Sequence, residues 1–455
     1  MAQIPNTSKL TASTPQILNT IRANASTFYQ DAVPYATNNS DSPKEIGAVI
    51  MQYTSLQNEF LNGLVNRIAY TVIKSKSYQN PWAFFKKGIL AFGETIEEIF
   101  TNICEAESFN PDTAATTVFK RRIPDVRTAF HYMNYQKFYP QTISDEQLRQ
   151  AFLSWEGVTN LIASIVEAMY TAANYDEFLV MKYMIAKNII NGNVFSWNVP
   201  TATAENASQV VSAARAISNK LEFMSSEYNA AGVKTHTPRN EQYIIVNADF
   251  DAIMSVEVLA SAFNMSQAEF LGHRVLVDGF GILDIERLNN LLGDTPGYEE
   301  IGSDDLALLN NIPAVIVDKD WFMIYDNLLK FTEIYNSEGL YWNYSFHTWK
   351  SFGISPFANA VILNPQTSSV TNITVSPSAT TVAKGQSAQF SANVTTEGFA
   401  PQDVEWSVNG NSDSTIISGN GLLTVGSDET KTPLTVTAKS VFTPKVSGTA
   451  SVTVP

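Results

Sequence analysis

The chain has 455 residues, of which 44% are hydrophobic, 11% aromatic and only 16% charged, with a formal net charge of −15. That balance excludes a protein whose main work is gripping nucleic acid by phosphate neutralisation, which needs clustered Lys and Arg, and a single cysteine, Cys104, excludes a disulfide within the chain. A charged share below the usual ~25% leaves little to coat a lone monomer and points to extensive contact between subunits, whose interface cores are poor in charge and rich in aromatics.

The opening residues lack the basic start and apolar run of a secretory leader, and no stretch reaches membrane-spanning length, so the expectation is a chain kept in a cytoplasm with no membrane partner. Thr14-Pro15 reads as an N-cap followed by a first-turn proline, and Leu18, Ile21 and Phe28 put apolar residues on one helix face. Ser42-Pro43 repeats the device. Ile46, Ile50, Tyr53, Phe60 and Leu64 then carry a helical stripe into the strand-like run Ile68-Ala-Tyr-Thr-Val-Ile73. Together these segments predict an extended arm over residues 1–65. Residues 80–100 hold Phe84 and Phe85, then Lys86 and Lys87, and then, beyond Gly88 and Gly93, the acids Glu94, Glu97 and Glu98. The pattern predicts a long hairpin, basic on one arm and acidic on the other, lying on a partner.

Ser144 with Gln147 forms a capping-box signal. Leu148, Phe152, Trp155, Ile162, Val166, Met169 and Ala173 recur at steps of three and four, with one double step spanning Thr159, which predicts one helix of about seven turns. A further helix from Asp176 is expected to stop at Asn191-Gly192. Val210, Ala214, Ile217, Leu221 and Met224 mark another amphipathic helix, and Tyr243–Val246, Arg274–Val277 and Ala314–Val317 suit buried strands around an acidic loop at 293–300. Trp321–Tyr325, Leu340–His347 and Phe357–Leu363 read as returning strands. Past residues 364–369 the texture changes: Ala388, Phe390, Ala392 and Val394 alternate with polar residues, turn signals recur, and Trp406 falls one strand later. That fits an immunoglobulin-like sandwich over 369–455 with Phe390 and Trp406 in its core. The fold class is α+β followed by an all-β module.

No phosphate loop, nucleophile elbow or His-Glu-x-x-His run occurs, and His131, His236, His273 and His347 lack ligand spacing. No catalytic, cofactor-binding or metal residue is assigned, and an enzyme is not expected. The neighbouring acids Glu97-Glu98, Glu299-Glu300 and Asp304-Asp305 do not make a glycosidase pair, because adjacent residues on a strand point to opposite faces. Lys86-Lys87 and Arg121-Arg122 are too small for nucleic-acid patches; they read as ion-pairing with acids of a neighbouring subunit or as solvated charge. Cys104 reads as a small buried hydrophobe.

Several separate motifs carry a resemblance. Phe85-Lys-Lys-Gly88 with Gly93-Glu-Thr-Ile-Glu-Glu-Ile-Phe100, Phe263-Asn-Met265 with Phe270-Leu-Gly272 and Val277-Asp-Gly-Phe280, Val317 to Leu328, Gly339-Leu-Tyr-Trp-Asn-Tyr344 and Phe357-Ala-Asn-Ala-Val361 stand in the order found in one family. They resemble the major capsid proteins of small short-tailed, picovirus-like (Phi29-type) phages, and residues 369–455 are similar to the bacterial immunoglobulin-like group 2 domain. The resemblance implies the tailed-phage capsid fold: N-terminal arm, extended loop at 76–105, peripheral domain at 106–194 with its spine helix at 144–173, axial domain at 195–320, and a return to the peripheral domain over 321–364. It implies self-assembly into pentamers and hexamers of an icosahedral or prolate virion shell, built in the host cytoplasm with scaffolding and portal proteins and enclosing double-stranded DNA without sequence-specific binding. Phe84, Phe85, Lys86, Lys87, Glu94, Glu97, Glu98, Arg121 and Arg122 are then expected inter-subunit contacts, and reversing Lys86 and Lys87 to Glu is expected to lower assembly while sparing the isolated fold. The terminal module is expected to brace or decorate the shell, with host-surface glycan binding a lesser reading. The competing readings are a surface adhesin, which would need an export signal or anchor, and a cell-wall hydrolase, which would need an acid pair.

Overall fold

The computed structural model of the chain describes residues 13–72, 78–90, 95–104, 106, 111, 124–154, 157–158, 160–161, 167–257, 273–412 and 414–455. Four helices lead: α1 (Thr14–Asn24), α2 (Thr27–Ala32), α3 (Ser42–Ile50) and α4 (Thr54–Val72). Ser13, one residue ahead of the expected Thr14, caps the first through a capping box with Gln16. The strand-like run from Ile68 lies within α4 as far as Val72. A short apolar run is ambiguous between helix and strand, and a helix already nucleated upstream extends cooperatively through it. These helices do not form an extended arm. Ile21, Tyr29, Ile46, Ile50 and Phe60 are buried in one core with Leu148, Phe152, Trp342, Tyr344 and Phe346 of the same chain, and the rings of Phe60 and Phe152 lie 5.2 Å apart. Each large side chain so buried contributes roughly 1.5–3 kcal/mol, which holds the segment down.

Next come β1 (Gly88–Ile89), β2 (Ile96–Thr101), β3 (Val126–His131), β4 (Tyr135–Ser144), α5 (Asp145–Ala151) and α6 (Ala172–Ile190). The capping box of Ser144 and Gln147 starts α5 as expected, but the single helix over 144–173 does not form. Phe152 to Ser154 leave the helix, and a π-helical turn at Glu167–Thr171 leads into α6. Leu148, Phe152, Val158, Met169 and Ala173 nevertheless share one core, so their spacing records which positions face that core rather than one continuous axis. The long helix is α6, ending at Gly192 in the left-handed conformation (φ 71°). It buries Leu179, Met181, Ile185 and Ile189 together with Asp176, Glu177 and Lys182, so more than one face is covered and its amphipathic signal is weak.

The remaining elements before the module are β5 (Phe195–Asn198), α7 (Ala207–Leu221), β6 (Gln242–Asn247), α8 (Ala248–Glu257), β7 (Arg274–Val277), α9 (Ile285–Leu292), α10 (Ser303–Asn310), β8 (Ala314–Asp318), β9 (Phe322–Asn336), β10 (Tyr341–Ile354) and β11 (Ala360–Asn364). One sheet has the order β1-β9-β10-β4, with long antiparallel pairing of Tyr341–Ile354 to Phe322–Asn336. A second, mixed sheet has the order β5-β11-β8-β6-β7. Residues 321–364 therefore divide: β9 and β10 join the sheet of β4, whereas β11 lies between β5 and β8 in the other sheet. The expected hairpin is also re-paired. The acidic strand β2 pairs antiparallel with β3, and the lysine-bearing segment instead lays β1 parallel to β9. No helix among the described residues is long and apolar enough to cross a membrane.

The C-terminal module holds β12 (Ser369–Ser376), β13 (Ala379–Thr381), β14 (Ser387–Gln389), β15 (Ser391–Glu397), β16 (Val404–Asn409), β17 (Ile416–Ile417), β18 (Leu422–Thr424), β19 (Leu434–Ser440) and β20 (Ser447–Thr453). Phe390 is buried in its core with Leu434, Val436 and Val452. Trp406 is half-buried and packs against that core from β16, the edge strand of its sheet, with its ring close to Gly421 ahead of β18. A buried carboxylate orders one end. Glu429 accepts hydrogen bonds from Thr415 Oγ1 (2.6 Å), from Ser412 N and Oγ (2.8 and 2.9 Å) and from the backbone of Thr430 and Lys431 (3.0 Å each). The Thr415 hydroxyl leads these donors in holding its pKa down at about 2. A depressed carboxylate contributes stability above its unfolded pKa of about 4.3 that is lost as pH falls through the folded value. The amide protection of residues 414–431, taken relative to the intrinsic exchange rate at each pH, is thus expected to fall in mass-spectrometric measurements as pH drops from 5 towards about 2, and Glu429→Gln is expected to abolish that dependence.

Candidate assembly surfaces and the ion cluster beneath them

Ahead of β1 the chain makes a tight turn whose Trp82 and Phe85 are buried; Phe85 lies 4.9 Å from Phe322 and edge-on to Tyr243 at 5.3 Å. That turn aims Lys86 inward. Its Nζ stands 3.0 Å from Glu177 Oε2 on α6 and 2.6 Å from Asp326 Oδ2 on β9. Lys350 on β10, directly opposite Asp326 in the ladder, pairs with Glu177 and donates to Asp326 Oδ1 at 2.8 Å. Asn80 Nδ2 donates to Glu177 Oε1 at 2.6 Å. Two cations and two anions thus neutralise each other where α6, β9, β10 and the segment before β1 meet. Burial works against the charges of Glu177 and Asp326, yet Lys350 and Lys86 more than offset it and hold both carboxyls below their ordinary range. The same balance holds Lys86 above its ordinary pKa, burial opposing and the two carboxylates prevailing. Lys87 pairs with Asp320 and donates to Lys319 O at 3.1 Å.

The ion pairs of Lys86 and Lys87 are therefore made within their own chain, and the burial of Phe85 is internal, which corrects the expectation that these three serve neighbours. The reason is local: Lys87 N donates to Ile324 O (2.9 Å) and Leu90 N to Asp326 O (2.8 Å), locking this segment as a sheet edge. Phe84 is the member of the group left half exposed.

The β2–β3 ribbon has two unlike faces. On the inner one Phe100 stacks on Phe357 at 5.5 Å. Glu98 Oε1 accepts from Ser355 Oγ at 2.5 Å, Glu98 Oε2 lies 3.1 Å from Nε2 of buried His131, and Arg127 donates to Ala231 O. Glu98 is thus also engaged internally. The outer face carries Glu97 opposite Phe130, Ile99 opposite Thr128, and Thr101 opposite Val126. Ile99 is 60% and Phe130 59% exposed, two large apolar side chains on one open face. Glu94, Arg121 and Arg122 lie outside the described residues.

A second open surface is the outer face of the β9-β10-β4 sheet. Phe138 (57% exposed) stacks on His347 at 5.6 Å, His347 lies 3.0 Å from Thr332 Oγ1, and Lys330 and Ile334 (68% exposed) line the adjoining strand. Ile99, Phe130, Phe138 and Lys330 were not singled out from the sequence. The available signal was in residues 96–101, where apolar residues occur at both parities, the pattern of a strand covered on both faces. Cys104, expected to be buried, is exposed. Among the described residues no three His, Cys, Asp or Glu are grouped to hold a metal ion.

A family model described as the Phi29-like phage major capsid protein matches residues 18–364, and one for the bacterial Ig-like domain (group 2) matches 369–450. The chain is 39% identical over 428 residues to the major capsid protein of Bacillus phage B103, covering 93% of this chain and 89% of that one. It is 36% identical over 427 residues to that of Bacillus phage PZA, with the same coverage. Among solved structures, the capsid structure of Staphylococcus phage Andhra aligns with a TM-score of 0.50 at 17% identity, over 64% of this chain and 86% of that one, a likeness of fold.

Proposed function

The chain belongs to the Phi29-like phage major capsid protein family, the structural subunit of a virion shell, and from that premise we propose that its copies join by laying the outer face of the β2–β3 ribbon of one on the open β9-β10-β4 face of the next. The observation that carries this is the pair of uncovered surfaces with matching chemistry. One offers Ile99 and Phe130 beside the negative Glu97; the other offers Phe138 and Ile334 beside the positive Lys330. Apolar cores with complementary charge at the rim give both burial and register. Head-to-tail contacts of this kind close into rings, here pentamers and hexamers. In this reading the sheet of β4, β9 and β10 with α6 is the peripheral domain, the sheet of β5 to β8 and β11 is the axial domain, and β2–β3 is the root of the extended loop. Phe84 would add to the contact. The adhesin reading gives way to the family membership.

The net charge of −15 suits a wall that holds packed double-stranded DNA without adhering to it. Assembly in the host cytoplasm with scaffolding and portal proteins completes the proposal. A charge exchange tests it. Glu97→Lys and Lys330→Glu are each expected to lower shell yield on the order of tenfold, since like charges facing across an interface cost several kcal/mol, and the double variant is expected to restore it, counted as particles by negative-stain microscopy. Single variants that assemble like the native chain would remove this pairing.

A further inference from the structure

The terminal module is bound to its own subunit at more points than a tether requires. Phe399, 3% exposed, belongs to the core that holds Ile189, Val194 and Ala360, whereas the next residue, Ala400, belongs to the sandwich core. One loop thus serves two cores. It passes so close to the end of α6 that a Cβ on Gly192, whose left-handed φ already favours glycine, would stand 2.7 Å from Ala400 O and 3.2 Å from Pro401 Cα. At the module's root Asn364 Nδ2 donates to Ser196 Oγ (3.0 Å) and Ser368 Oγ (2.7 Å), all three residues being buried. Gln366 donates to Leu308 O at 3.2 Å, and Phe442 meets Phe195 edge-on at 5.6 Å. A third region of the module reaches the ribbon. The guanidinium of Arg127, which also donates to Ala231 O, lies 2.9 Å from where a Cβ on Gly419 would be.

Domains joined by a linker move relative to one another unless their interface is well packed and apolar. Here the interface includes an inserted aromatic and a buried polar triad, and exposing that triad's partners singly would leave polar groups unpaired. We propose that the module is a clamp acting on its own chain: its 398–403 loop pegs it to the end of α6, and its Gly419 turn backs Arg127 so that the root of the β2–β3 ribbon keeps one orientation. The clamp is internal to one subunit and stands independently of which surface the ribbon's outer face meets.

The test is hydrogen exchange by mass spectrometry with calorimetry on the full-length chain, kept dilute and unassembled. In the native chain β19 and β20 are expected to open together with α6 in one transition. Phe399→Ala is expected to accelerate exchange of residues 189–199 and 396–403 on the order of tenfold and to separate a module transition. Gly419→Leu, which presses on Arg127, is expected to accelerate 126–131 while leaving β19 and β20 protected. Should Phe399→Ala fail to fold, Gly192→Ala, which pushes on Ala400 from the other side, is read at 396–403 instead. A native chain whose module opens independently of α6, or variants that leave 189–199 and 126–131 within about twofold of native rates, would overturn the clamp.

Discussion

Glutamine in place of Glu177 is expected to lower the unfolding free energy of the isolated subunit by about 3–5 kcal/mol, the range for breaking a buried ion pair by removing one partner. Glu177 is 2% exposed and holds Lys86, Lys350 and Asn80 at once. Without its charge two ammonium groups share Asp326 alone, and a buried positive charge goes uncompensated. Urea midpoints of dilute protein check this, and a loss under about 1 kcal/mol would show that the cluster does not hold these elements together. Removing one anion and one cation together, as in Glu177→Leu with Lys350→Met, is expected to recover most of the loss, because apolar residues of similar volume replace such pairs at little net cost. Lys86→Glu would set three carboxylates against one lysine, so it breaks the subunit's fold before assembly is reached. The pH dependence follows from the same shifts. The depressed Glu177 and Asp326 contribute above their unfolded values near 4 and lose that contribution as pH falls through the folded ones, while the raised Lys86 contributes below about 10.4 and loses it as pH rises through its folded value. Glu177→Gln should flatten the acid limb.

Aspartate in place of Phe130 is expected to leave the subunit's melting within about ±0.5 kcal/mol of native, as for other exposed positions, and to abolish shells. Phe130 stands 59% exposed on the ribbon's outer face opposite Glu97. If that face is covered by a second copy, the substitution buries a carboxylate beside an existing acid. Loss of one aromatic anchor typically costs 2 kcal/mol or more per contact, and a closed shell repeats the loss at every contact. Circular dichroism paired with particle counts separates the outcomes: native-like shells from the variant would mean that this face is not the one covered. Ile99→Asp, on the same face, should behave alike.

The strands Tyr243–Val246 and Ala314–Val317 were legible because a strand covered on both faces needs an unbroken apolar run, and such runs are short and bounded by turns; Arg274–Val277 shares the apolar run although Leu276 stands exposed. The start of α5 and the stop of α6 were legible because Ser144, Gln147 and Gly192 satisfy backbone groups within a few residues of themselves. The module's strands were legible for a similar reason, in the alternation around Phe390 and the glycine turns. The 144–173 helix was misread because apolar spacing reports a common core and is blind to a break in the backbone between two pieces that face it. Ile99 and Phe130 were passed over because their companion strand lies some thirty residues away across the hairpin, with nothing near residue 100 to name it.

By itself, then, the amino-acid order determined what is decided locally: caps, turns, two-sided strands, a charge-poor aromatic composition that calls for coverage by other copies, and family motifs in their proper sequence. Only the tertiary structure decided which long-range partners each segment takes. Acidic residues 96–101 pair with 126–131, Lys86 turns inward to Glu177 and Asp326, the leading helices fold onto their own sheet, and Phe399 leaves its sandwich for another core. A charge or an aromatic ring carries the same intrinsic preference wherever it falls in the chain. Which opposite charge or which cavity satisfies it depends on distances that exist only once the backbone has closed.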